Sequence, residues 1–134
     1  MSDLARALAA AMELKRREDR RRLYRYVPYP FQQAFHEAGA ENDQVVLMAA
    51  NRVGKTRCGA AETAFHLTGL YPDVWTGRRF HNPIKAWVAG ATNPKTRDVL
   101  QRELCGEPAD PDGQGTGMVP GELITSTTRR RTPT

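Results

Sequence analysis

An apolar run of strand length, Val45-Val46-Leu47-Met48-Ala49-Ala50, leads straight into Asn51-Arg52-Val53-Gly54-Lys55-Thr56 and then into a helix-favouring stretch. No other feature constrains the chain as much. A buried strand, a short loop closing on Gly-Lys-Thr and a helix form the order that a phosphate-binding loop needs. Backbone N–H groups at the start of the helix cradle anionic oxygens, helped by the helix dipole. Lys55 is placed to reach β- and γ-phosphates, and the Thr56 hydroxyl to hold Mg²⁺. Ala49 stands where the first glycine of G-x-x-x-x-G-K-[ST] usually falls, so the candidate loop is Ala49, Ala50, Asn51, Arg52, Val53, Gly54, Lys55 and Thr56.

The 134 residues suffice for one modest domain with its own core, and 40% hydrophobic with 26% charged residues is an ordinary globular balance. No apolar run approaches the length of a membrane span, and Met1–Ala11 is too short and alanine-rich for a signal peptide. Cys58 and Cys105 have neither metal-ligand spacing nor the numbers for a disulfide framework, which points to the cytosol. The formal charge of +5 is concentrated at the ends. Residues 1–30 hold eight Lys/Arg against four Asp/Glu, and 129–134 hold three arginines and no acid; 31–128 hold nine basic against eleven acidic groups. Basic ends meet phosphate backbones readily, although a charge run is more often a solvated helix face.

Taken in order, 2–25 reads as one basic helix with a narrow apolar stripe, followed by an aromatic and proline-rich connector. Pro30 opens a short helix over 31–38 with Gly39 as its stop. His36 has no second metal ligand nearby, and Glu62 with His66 reads as a surface pair one helical turn apart. The loop helix is expected over 55–67, and 70–82 is an irregular loop. In it Trp75, Arg78 and Arg79 either touch nucleic acid or pack the loop on itself. Residues 83–90 form a second apolar run, and Thr92 or Asn93 caps a helix reaching Leu104 and stopped by Gly106. The order strand–helix–strand–helix predicts an α/β fold with a parallel sheet. Residues 107–117 read as linker, 118–124 as one more short strand or contact, and 125–134 as a disordered tail.

Three features coincide: Tyr29-Pro30-Phe31-Gln32 before the loop, Arg52 two residues before the loop glycine, and Val88-Ala89-Gly90-Ala91-Thr92-Asn93 after the second apolar run. Together they resemble the start of the ATPase domain in the large terminase subunit of tailed bacteriophages, over about residues 24–124. The resemblance implies a partial P-loop NTPase fold, RecA/helicase-like, with ATP and Mg²⁺ as cofactors. It implies double-stranded DNA, a small terminase subunit and a portal protein as partners, in the host bacterial cytoplasm. By the same resemblance Gln32, with Gln33 as runner-up, reads the adenine edge, for which an amide offers donor and acceptor together. Lys55 and Thr56 bind phosphate and Mg²⁺, and Arg52 is the catalytic arginine at the γ-phosphate, where a rigid guanidinium fork suits developing charge. A surface ion pair is the plain alternative for Arg52.

The resemblance also has gaps. The family's motor needs a later apolar strand ending Asp-Glu, one to hold Mg²⁺ and one to orient water, and no such run follows Gly106. The acidic cluster of its nuclease domain is missing too. The expectation is therefore the front part of a terminase, cut within its ATPase domain, with weak or no hydrolysis alone and marginal stability. Its units would be a basic helical segment 1–25, a partial ATPase domain 26–106, and a linker with tail 107–134. The rival reading is a small stand-alone basic nucleic-acid-binding protein whose loop is vestigial.

Overall fold

A computed structural model describes residues 2–128. The arginine-rich end of the tail, 129–134, lies outside the described residues.

Helix α1 spans Asp3–Asp19, with the Ser2 hydroxyl accepting from the Ala5 N–H at 3.2 Å as its N-cap. It buries no residue. The basic helix expected to reach Arg25 instead breaks after Asp19, and Arg22–Arg25 forms a separate 3₁₀ turn. The break has a cause: Leu23 enters the core at 2% exposure, while Arg22 turns inward to donate to Glu103 Oε1 at 2.8 Å. Arg25 reaches back to donate to the Glu18 carbonyl at 2.8 Å, an oxygen that also accepts from the Arg21 N–H at 3.0 Å.

Helix α2 spans Pro30–Glu41, beginning where Pro30 predicts. It runs through Gly39 to an Asn42 cap whose N–H donates to the Ala38 carbonyl. Helix α3 spans Lys55–Thr68 between two left-handed glycines, Gly54 (φ 98°) and Gly69 (φ 71°). A helical run over 93–105, here α4, starts at a Thr92 cap, passes through a π-helical stretch Thr96–Gln101 and ends at Gly106. The core gathers on α3. Its small residues Ala60, Ala61 and Ala64 let Leu23, Leu104 and Met118 approach closely, and Phe65 meets Trp75 with ring centroids 5.0 Å apart. Trp75 therefore packs its own loop, and its indole N–H donates to the Arg78 carbonyl at 3.0 Å.

After α4 the chain doubles back. The N–H groups of Gly115, Met118 and Val119 donate to the carbonyls of Cys105, Glu103 and Leu104 at 2.7–2.9 Å, capping the end of α4. The reversal pivots on Gly106 (φ 102°), where a Cβ would run into the Gly113 carbonyl.

The expected α/β architecture is not what forms. Among the described residues there is no strand and no sheet, so the parallel sheet of a RecA/helicase-like P-loop fold is absent. Residues 45–50 and 83–90 carry the apolar side chains of buried strands, yet Val46 is 80% exposed, Met48 89% and Trp87 98%. The reason lies in pairing. A strand exists only by exchanging backbone hydrogen bonds with a neighbour, and these two runs exchange none with each other. What holds 2–128 together is a helical assembly around α3.

Candidate phosphate-binding site

The loop before α3 turns sharply into the helix at Gly54. Gly54 caps the helix in the left-handed region, and the first N–H groups of any helix lack intrahelical partners. Arg52 is also left-handed, at φ 61°, the one non-glycine residue so placed among those described. Such a conformation costs about 1–2 kcal/mol for a residue with a Cβ, and strain of this kind concentrates at functional loops. Lys55 curls back over the loop, its Nζ donating to the Ala49 and Ala50 carbonyls at 2.6 Å each. The ammonium thus sits inside the curve of residues 49–54. Thr56 is exposed in the first turn beside it, and Asn51 is exposed at the outer edge of the loop.

Helix α2 buttresses this loop. The Gln32 side chain is 1% exposed; its Oε1 accepts from the Tyr29 N–H at 2.8 Å and its Nε2 donates to the Gly54 carbonyl at 3.0 Å. The same carbonyl accepts the first α3 bond, from the Cys58 N–H at 3.0 Å. Gln33 points elsewhere, donating to Glu37 and Thr76.

Beside Gln32 and Gly54 opens a cavity of about 550 Å³, into which Arg22, Arg25, Arg52, Arg57 and Tyr29 project. The sequence-predicted residues Gln32, Arg52, Val53 and Gly54 all line it; Lys55 and Thr56 line a separate groove with Trp87. Arg22, Arg25 and Arg57 were not anticipated as site residues. The signal for them was present in the arginine run before the connector and in the basic residue two places after Lys55. Glu103 accepts from both Arg22 and Arg57, at 2.8 and 3.5 Å, and holds these two guanidinium groups side by side.

Behind the cavity runs a buried polar chain that the sequence reading divided into unrelated parts. His36 is fully buried; its Nε2 lies 3.0 Å from the Tyr26 hydroxyl and 3.7 Å from Cys58 Sγ, and its Nδ1 3.3 Å from Glu62. Glu62 also pairs with His66 at 3.4 Å, so the expected surface pair is an interior one. His66 in turn lies 2.9 Å from the Tyr71 hydroxyl. Burial pushes Glu62 up, but hydrogen bonds to His36 and His66, reinforced by their charges, outweigh it and hold the carboxyl below its ordinary range. Burial raises the Tyr26 hydroxyl far above the ordinary phenol range, with a further push from Cys58. Burial likewise pushes the Cys58 thiol up to about 11.

No family model and no solved structure matches the chain. Among curated proteins it is 40% identical over 116 residues to the terminase large subunit of Salmonella phage P22. That alignment covers 78% of this chain and 23% of the phage protein. Over those 116 residues the chain is similar to a viral terminase protein. More particularly, it corresponds to a fragment of the large subunit, and it spans less than a quarter of the length of the relative it matches. No helix among the described residues is long and apolar enough to cross a membrane.

Proposed function

We propose that this stretch is the ATP-binding part of the motor that packages viral DNA into procapsids. The observation that carries the reading is the Gly54–Lys55 step at the N-terminus of α3, in a chain 40% identical to a terminase large subunit. Arriving phosphate oxygens would take the N–H groups at the start of α3 and draw Lys55 Nζ from the Ala49 and Ala50 carbonyls. Arg52, already fixed in a turn that aims it at the cavity, would meet the γ-phosphate. Thr56 is the residue that would hold Mg²⁺, through its hydroxyl oxygen. That hydroxyl lies on an exposed residue in the first turn of α3, open to such an ion. Held there, Mg²⁺ would supply positive charge against that of the phosphates.

The cavity wall offers guanidinium, phenol and amide groups and no carboxylate to orient an attacking water. Binding is therefore the contribution assigned to this stretch, with hydrolysis by it alone slow. Double-stranded DNA, a small terminase subunit and a portal protein are the partners this reading implies, in the cytoplasm of an infected bacterium. Titration calorimetry with Mg·ATP tests it. Lys55→Ala should weaken binding by about tenfold or more, and unchanged affinity would remove the loop from the reading.

A second reading has its own observation. Helix α1 buries nothing, and Lys15, Arg16 and Arg17 on its last turns are exposed. If the chain bound DNA with a steep salt dependence and was indifferent to nucleotide, it would be a basic nucleic-acid-binding protein with an idle loop.

A further inference from the structure

Gln32 has both ends of its amide committed. An adenine edge offers a donor and an acceptor side by side, and an amide reads it only by presenting the complementary pair in one plane. Here the carbonyl end holds the Tyr29 N–H and the amino end holds the Gly54 carbonyl, in a side chain 1% exposed. To turn toward a base, Gln32 would have to strip the α2 N-terminus of its cap and the Gly54 peptide of its support. The fit is tight as well: a Cβ at Gly54 would stand 2.9 Å from Gln32 Nε2.

The rest of the cavity does not replace that reading. Its charged lining is four guanidinium groups, which donate and cannot accept, so none can answer both the donor and the acceptor of adenine. Tyr29, 63% exposed and stacked beside Phe31 at a 6.4 Å centroid distance, offers a ring face. Stacking on a face tolerates any base.

We infer that Gln32 is a positioning residue, a strut from α2 that holds the Gly54 peptide and hence the phosphate loop, and that the site binds the triphosphate without selecting adenine. This rests on the phosphate-site reading above and names its ligand class: nucleoside triphosphates of any base, and inorganic tripolyphosphate with them.

The test is competition against a fluorescent ATP analogue by ATP, GTP and inorganic tripolyphosphate, each with Mg²⁺, on the wild-type chain and on Gln32→Glu. The glutamate keeps an acceptor for Tyr29 but loses the donor to Gly54. In the wild type, ATP and GTP should compete within about threefold of each other, with tripolyphosphate also competing. In Gln32→Glu all three should weaken together, by about tenfold, with the ATP-to-GTP ratio unmoved. A carboxylate buried against the Gly54 carbonyl lowers the melting temperature as well, so the affinities are compared at a temperature where circular dichroism shows the variant folded. Adenine preference of about tenfold or more in the wild type overturns the inference and leaves the phosphate site standing. The wild-type comparison decides this even if Gln32→Glu fails to fold. If none of the three binds the wild type, the phosphate site and the inference fall together.

Discussion

His36 Nδ1 lies 3.3 Å from Glu62 Oε2, joining α2 to α3 through a contact in which His36 is wholly shielded from solvent. Glu62 bridges to His66 with its other oxygen, so one carboxylate organises two interior rings. Because its partners hold the Glu62 carboxyl below the ordinary value of 4.5, the folded state keeps it ionised at a pH where the unfolded chain already takes up a proton. The unfolded state then binds more protons, and stability falls as the pH falls. The Glu62 contribution is thus present in full above about pH 4.5 and lost as pH drops through the lowered value. Denaturant melts from pH 6 to pH 3 should show this decline, and Glu62→Gln should flatten it. A variant curve parallel to the wild type would place the acid sensitivity elsewhere.

The thiols follow the same logic at the alkaline end. Cys58 is fully buried and its pKa is pushed up to about 11, so the nucleophilic thiolate is scarce at neutral pH. Cys105 is half-buried and shifted in the same direction by burial. Iodoacetamide at pH 8 should modify Cys105 before Cys58, with Cys58 reacting only after denaturant is added. Mass spectrometry of the peptides reads the order directly. Rapid labelling of Cys58 in the native chain would mean that the packing of α2 on α3 opens readily.

How far the sequence foretold this molecule depends on whether its signals are local. Helix α3 was legible because its limits are glycines that carry left-handed turns, Gly54 and Gly69, and α4 because Thr92 caps it and Gly106 ends it. The sheet was not, because apolar content in 45–50 records a need for burial while pairing is decided by a partner elsewhere in the chain. The turn at Gly54 and the start of α3 at Lys55 could be read from the motif. The commitment of Gln32 to Tyr29 and Gly54 could not, since the second of these contacts spans 22 positions. The break of α1 at Asp19 was hidden for a similar reason: Arg22 meets Glu103 across 81 positions, and no local propensity records that.

Arg52 offers a test of strain against function. Removing the Cβ relieves the left-handed conformation of about 1–2 kcal/mol, less about 0.5–1 kcal/mol for the greater freedom of an unfolded glycine. Arg52→Gly should therefore melt no lower than wild type while weakening triphosphate binding by about tenfold. Arg52→Val, with a β-branched side chain at φ 61°, should lose both stability and binding. Thermal melts and calorimetry on the pair separate the two effects. If Arg52→Gly bound triphosphate as the wild type does, the guanidinium would have no part in the site.

The core prediction concerns Phe65, 2% exposed and in ring contact with Trp75, Tyr71 and Tyr26. Phe→Ala in a packed core costs about 3–5 kcal/mol, a large share of the total for a small domain. Phe65→Ala should unfold most of the chain at room temperature, seen as loss of near-ultraviolet dichroism from Trp75. A cooperative melt within a few degrees of wild type would show that the aromatic cluster is not what holds 2–128 together.

Trp87, 98% exposed, and Met48, 89% exposed, lie on the two apolar runs that stay unpaired. Exposed backbone with apolar, β-prone side chains invites pairing between copies, and a charge on such a run opposes it. Trp87→Lys and Met48→Glu remove apolar surface that contributes little packing within the chain. Both should lower light scattering at a given concentration, and their melting temperatures should stay within a few degrees of wild type. The double variant should be the most soluble, since each substitution acts on a separate run. If scattering were unchanged while stability fell, these residues would be packed in solution, and the exposed position of both runs would be wrong.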